Sequence, residues 1–241
     1  MELLITFAAG LSILIGAAFI RLSKNTEPVE NLSMAMALAA LLALLFLDLL
    51  PDVRETAEGI GWAFAIAAVA GGVVLLKLLD HFVPDHEDNE SNHDSENAVH
   101  IGLIAALAVV LHNIVEGMTV YSLSMNSLRE GAIFAVGIAL HNIPMGMLIE
   151  STMELDKPRE HVLVLSAVTL STLLGGIVMQ MVKTHVNEAV TGVLVCAAAG
   201  MIIYITFLEL LPHVLRTRDV PLNITGALLG FLLVLASSML G

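Results

Sequence analysis

Apolar positions in this chain form long stretches that polar residues rarely interrupt. Leu3 to Ile20 contains no charged residue. Runs of about 18 or more apolar residues predict helices that cross a membrane. We read eight, at about 3–22, 31–52, 60–82, 99–122, 130–153, 160–183, 188–213 and 221–240. The expected fold class is an all-α polytopic membrane protein, a single transmembrane domain over 1–241 with the lipid bilayer as its solvent. The first segment has no basic region before it and reads as a span, not a cleaved leader. Connections are short except 83–98, VPDHEDNESNHDSENA, which reads as a disordered acidic loop.

The polar residues inside the spans carry the chemistry. LHNIVEGMTVY, beginning at Leu111, returns 29 positions later as LHNIPMGMLIE. Ionisable groups are costly inside a bilayer and need a reason to be there. Helix positions i and i+4 share a face. His112 and Glu116 therefore point the same way on the fourth helix, as do His141 and Met145 on the fifth. Packed together, the two helices would bring two imidazoles and a carboxylate to one point. Zinc and its neighbours take imidazole nitrogen and carboxylate oxygen, and two His with one Glu leave a position open. The competing reading has each His bonded to a neighbouring helix.

Asn113 and Asn142 lie about 100° around their helices from the histidines. They either offer amide oxygens to an ion or bond across the helix interface, as amides commonly do in membranes. Gly117 and Gly146 suit close helix approach. Pro144 frees the carbonyl of Leu140, for an ion or simply at a kink.

A second echo pairs FLDLLPDV (46–53) with FLELLPHV (207–214), offset by 161 positions. Both matched pairs fall on helices of opposite direction. This predicts an inverted repeat arranged 3+2+3, an architecture of transporters with the substrate site near the midplane. Asp48 and Asp52, with counterparts Glu209 and His213, then stand at the two mouths of a pathway. An acidic mouth concentrates cations; the alternative places these groups among lipid headgroups.

Basic residues orient the chain. With the N-terminus outside, Arg21, Lys24, Lys77, Lys157, Arg159, Arg216 and Arg218 lie inside, against Arg54, Arg129 and Lys183 outside. The bias favours both termini outside and places the 83–98 loop in the cytoplasm. His86 and His93 in that loop either bind metal weakly or decorate a solvated linker.

Composition adds little beyond this. The chain is 57% hydrophobic, with a net charge of −13. Seven of its 23 carboxylates lie from Asp80 to Glu96, which accounts for much of the acidity. The single cysteine, Cys196, excludes an intrachain disulfide. No nucleic-acid partner and no resident cofactor are expected.

H-N-x-x-E-G followed one helix later by H-N-I-P-x-G resembles the ZIP (Zrt-, Irt-like) metal transporters, over the whole chain. The resemblance implies eight spans and uptake of divalent transition metals into the cytoplasm. Zinc is the foremost cargo, with iron, manganese or cadmium as others. It also implies a homodimer and, for a prokaryotic member, the plasma (inner) membrane. It assigns metal-ligand roles to His112, Asn113, Glu116, His141 and Asn142. Where prokaryotic members read H-N-x-P-E-G on the fourth helix, Val115 replaces the proline. Where they carry a metal-bridging Glu on the fifth, this chain has Met145. No carboxylate lies between Glu160 and Glu188, so the sixth helix offers none at mid-depth. One metal is therefore expected, with Met145 either a soft ligand or packing only. Two other activities stay open: an intramembrane zinc hydrolase, although no H-E-x-x-H occurs, and a metal sensor without transport.

Overall fold

The computed structural model describes residues 1–23, 27–82, 93–153, 158–182, 188–216 and 219–239. For residues 93–98, 158 and 188 only the backbone is described. Among these residues there are helices and no strands. Eight helices are long and apolar enough to cross a membrane. They are α1 (Glu2–Leu22), α2 (Glu27–Ile60), α3 (Trp62–Asp80), α4 (Val99–Asn126), α5 (Leu128–Thr152), α6 (Arg159–Val182), α7 (Ala189–Arg216) and α8 (Val220–Ser238). Eight crossings put both termini on one face.

Several ends differ from the sequence reading. The second helix was expected to stop at 52 and runs to Ile60. It is stopped by Gly61, whose φ of +97° suits glycine alone. The seventh reaches Arg216 where 213 was expected. Helical backbone begins at His93, inside the segment expected to be a loop through 98.

The two FL-x-LLP echoes share a local distortion. Leu45–Leu49 and Ile205–Leu210 are both π-helical. Pro51 and Pro212 each follow one residue later. Each lacks an N–H and crowds the carbonyl four residues back, so the preceding turn widens. Asp48 and Glu209 sit on these widened turns.

α4 and α5 are joined through Ser127 alone. Its extended backbone breaks the helix, and its side chain accepts a hydrogen bond from the Glu130 N–H at 3.3 Å. This is an S-x-x-E capping sequence. His112 lies 14 residues before Asn126 and His141 lies 13 after Leu128. At about 1.5 Å per residue both imidazoles sit about 20 Å from the turn, at one depth.

Helix packing follows a simple scheme. α1 lies on α5, α4 on α6, α2 on α8 and α3 on α7, with α4 and α5 against each other. α2 and α4 are the most enclosed, and α3 and α8 the least. Exchanging α1 with α6, α2 with α7, α3 with α8 and α4 with α5 leaves these pairings unchanged.

Candidate metal centre

Gly117 and Gly146 set the spacing of the two histidine-bearing helices against their outer neighbours. A Cβ on Gly117 would strike the Thr172 carbonyl on α6, and one on Gly146 the Ile13 carbonyl on α1. Both obstacles are backbone. The close approach expected of these glycines is present.

His112 and Glu116, one turn apart on α4, place Nε2 and Oε1 3.1 Å apart. His141 on α5 points its Nε2 at the same Oε1 from 2.9 Å. The imidazole centroids are 6.3 Å apart, inclined at 49°. One ligand atom from each of the three residues falls within 4.8 Å of the others. Zinc bound at about 2.0–2.1 Å from imidazole nitrogen fits between them. His112 and His141 are buried, and the Glu116 side chain is 11% exposed. Among the described residues, neither histidine Nδ1 meets a hydrogen-bond partner.

A cavity of about 280 Å³ leads to this point. His112, Glu116 and His141 line it together with Asp48, Asp52 and Thr119. Phe134, Val195 and Ser237 also line it, and each lies near the end of its helix on the face that carries the termini. Asp48 is half-buried and Asp52 exposed. On the other side of the histidines lies a small recess walled by Leu41, Leu44, Val109, Ile202 and Met145. Among the described residues the centre is open toward the termini, with apolar side chains beyond it.

The remaining candidates separate. Met145 is buried and shares the recess with His112, His141 and Asn142. Asn113 is fully buried, and among the described residues neither amide atom has a hydrogen-bond partner. The Asn142 amide nitrogen is likewise unpartnered. Pro144 lies buried inside α5. Glu209 and His213 are half-buried on α7 and do not line the cavity. His86 lies outside the described residues, as does the His93 side chain.

Two polar clusters were not read from the sequence. Arg21 donates Nε–H to Glu150 Oε1 at 2.6 Å, and Glu150 Oε2 lies 2.6 Å from His161 Nε2. This joins α1, α5 and α6 on the face opposite the termini. On the same face the Tyr204 hydroxyl donates to Asp80 at 2.6 Å, and His100 Nε2 lies 2.9 Å from the other Asp80 oxygen. Arg21, Asp80, His100, Glu150 and His161 stand in the first or last turn of their spans, which was the sequence signal, whereas Tyr204 lies well inside α7 and gave none. The Thr119 and Ser237 contributions to the cavity left no signal either.

Comparison with known proteins matches this architecture. The family model described as ZIP Zinc transporter matches residues 84–238. The zinc transporter ZupT of Chlorobium phaeovibrioides is 35% identical, covering 99% of this chain and 96% of its own. That of Chlorobium luteolum is 31% identical over 99% and 96%. That of Clostridium perfringens is 26% identical over 100% and 95%. The chain belongs to the ZIP zinc transporter family.

Proposed function

We propose that this protein carries divalent transition-metal ions, zinc foremost, through the membrane by way of His112, Glu116 and His141. The observation that carries the reading is their convergence at the blind end of a cavity lined by Asp48 and Asp52. Family membership makes it a transporter and not an enzyme. Asp52 and Asp48 would draw cations in. The two imidazoles and the carboxylate would replace part of the ion's water shell. Glu209 and His213 would receive it beyond the apolar seal. Iron, manganese and cadmium are the further cargoes this ligand chemistry accepts.

A transporter must release what it binds. Metal-binding histidines ordinarily donate their second N–H to a protein group, which raises their basicity. Among the described residues His112 and His141 have no such partner, which supports a hold firm enough to select and loose enough to let go. Asn142 and Met145 stand close enough to the recess to complete the shell, whereas Asn113 would have to turn.

The exchange symmetry of the packing and the paired π-turns support a 3+2+3 inverted repeat. In the orientation favoured by the basic residues, the cavity opens outside and movement is into the cytoplasm, in the plasma membrane. A homodimer and weak metal capture by His86 and His93 complete the proposal. Zinc flux into proteoliposomes tests it. Saturable uptake by the wild type that disappears in His112→Ala supports the site, and equal uptake by both proteins refutes it.

A further inference from the structure

A second cavity, of about 400 Å³, lies between α1 and α6. Phe7, Leu11, Leu14 and Ala18 line it from α1, and Val162 and Leu170 from α6. Positions 7, 11, 14 and 18 occupy one helix face, so the cavity is a trough along the α1 axis. It ends at Arg21, on the face opposite the termini. From Phe7 to Arg21 the axis rises about 21 Å. Leu14, Val162 and Leu170 stay 41%, 60% and 48% exposed. The trough therefore opens sideways, toward the bilayer.

We propose that this trough binds a membrane phospholipid, with one acyl chain between α1 and α6 and the phosphodiester on Arg21. Depth supports the assignment. One leaflet's hydrocarbon spans about half of a ~30 Å core, which the trough accommodates. Chemistry supports it as well. Arg21 gives Nε–H to Glu150 and lies 3.5 Å from His161 through Nη2, yet its side chain is 56% exposed. A guanidinium has five N–H donors in a fixed fork suited to phosphate. Glu150 therefore fixes the Arg21 side chain at headgroup depth and leaves donors facing outward. Arg159, exposed and three residues before Val162 on α6, stands at the same end. The trough walls belong to the helices packed on the metal-bearing pair, α1 on α5 and α6 on α4. The lipid would brace that four-helix group.

The full-length protein is reconstituted in nanodiscs containing phosphatidylglycerol and galactosyl diacylglycerol with the same acyl chains. Lipid retained on release into detergent is counted by native mass spectrometry. The phospholipid is retained over the galactolipid by roughly fivefold or more, the factor expected of one arginine at a headgroup phosphate. Arg21→Gln removes that preference. Ala18→Trp fills the trough at an exposed position and lowers retention of both lipids, whereas Phe64→Trp on the exposed face of α3 changes neither. Equal retention of the two lipids by the wild type overturns the proposal. So does unchanged retention in Ala18→Trp. If Ala18→Trp instead dissociates a dimer and leaves the lipid count unaltered, the trough holds a second copy of the chain. Should Arg21→Gln fail to fold, the Ala18→Trp comparison decides alone.

Discussion

His141 on α5 reaches across the helix interface to within 2.9 Å of Oε1 of Glu116 on α4. The same oxygen lies 3.1 Å from His112 Nε2. A single carboxylate oxygen thus collects two imidazoles, and a cation entering there would replace close polar contacts with three bonds. His141→Ala is expected to lower saturable zinc uptake by more than the roughly 10–100-fold that losing a group behind a ligand costs. Uptake into proteoliposomes, normalised to folded protein, is the measurement. A wild-type rate would remove His141 from the pathway.

Acidification is expected to slow uptake. Metal binds the deprotonated forms of His and Glu and releases protons on binding. Protons therefore compete with the metal. The sign is a rate that falls as the pH drops from neutral into the mildly acidic range. The check is initial zinc uptake with equal pH on both sides of the vesicle. A flat profile over that range would count against all three ligands.

Glycine substitutions separate packing from chemistry. Gly117→Ala and Gly146→Ala each push a methyl group into a backbone carbonyl of the neighbouring helix. Backbone cannot rotate aside, so overpacking of about 1–3 kcal/mol is expected. Gly71 on α3 faces open space, and Gly71→Ala should stay within about 0.5 kcal/mol of the wild type. Thermal unfolding in detergent reports all three. Equal melting temperatures for Gly146→Ala and Gly71→Ala would contradict the close approach of α1 and α5.

The metal helices were legible because their information is local. Four-residue spacing puts His112 and Glu116 on one face, and the 29-residue echo carries the partner helix. A break between the two helices was read at 123–129, but the Ser127–Glu130 cap that confines it to one residue and equalises the depth of the two histidines went unread. The end of α2 was misjudged because the apolar run ends near Val53, whereas the helix continues through the polar residues that follow, to Ile60. Contacts between remote spans were not legible. Arg21 and Glu150 are 129 positions apart, and nothing in either segment names the other. The cavity is of this kind too, because residues from five helices build it.

Glu150→Ala tests the remote cluster. It leaves the buried His161 without its carboxylate and lets Arg21 turn to water or headgroups. Because Arg21 is already half-exposed, the cost should fall below the 3–5 kcal/mol of breaking a fully buried pair. About 1–3 kcal/mol is expected, the cost of an unsatisfied buried group. The observable is a lower melting temperature with zinc affinity at the central site retained. Loss of zinc binding in a protein of unchanged stability would instead place Glu150 on the ion's route.

Met145 stands at the position where the family resemblance implies a bridging carboxylate. Its side chain shares a small recess with both histidines and Asn142, so a ligand there would meet the ion from the side away from the cavity. Met145→Glu supplies an oxygen donor with charge at that point. The variant is expected to bind a second metal, using Asn142 and a reoriented Asn113 as added ligands, where the wild type binds one. Anomalous scattering from zinc-soaked crystals would count the ions. Two strong central ions in the wild type would refute the single-ion expectation. One ion in Met145→Glu would shift the limit to α6, which has no carboxylate at that depth. Selectivity gives an independent reading. A thioether is soft and a carboxylate hard, so cadmium uptake relative to zinc should fall in Met145→Glu if the sulfur coordinates. An unchanged ratio, with both proteins transporting, would mean that Met145 serves only to pack against Val109 and Ile202 in the apolar seal.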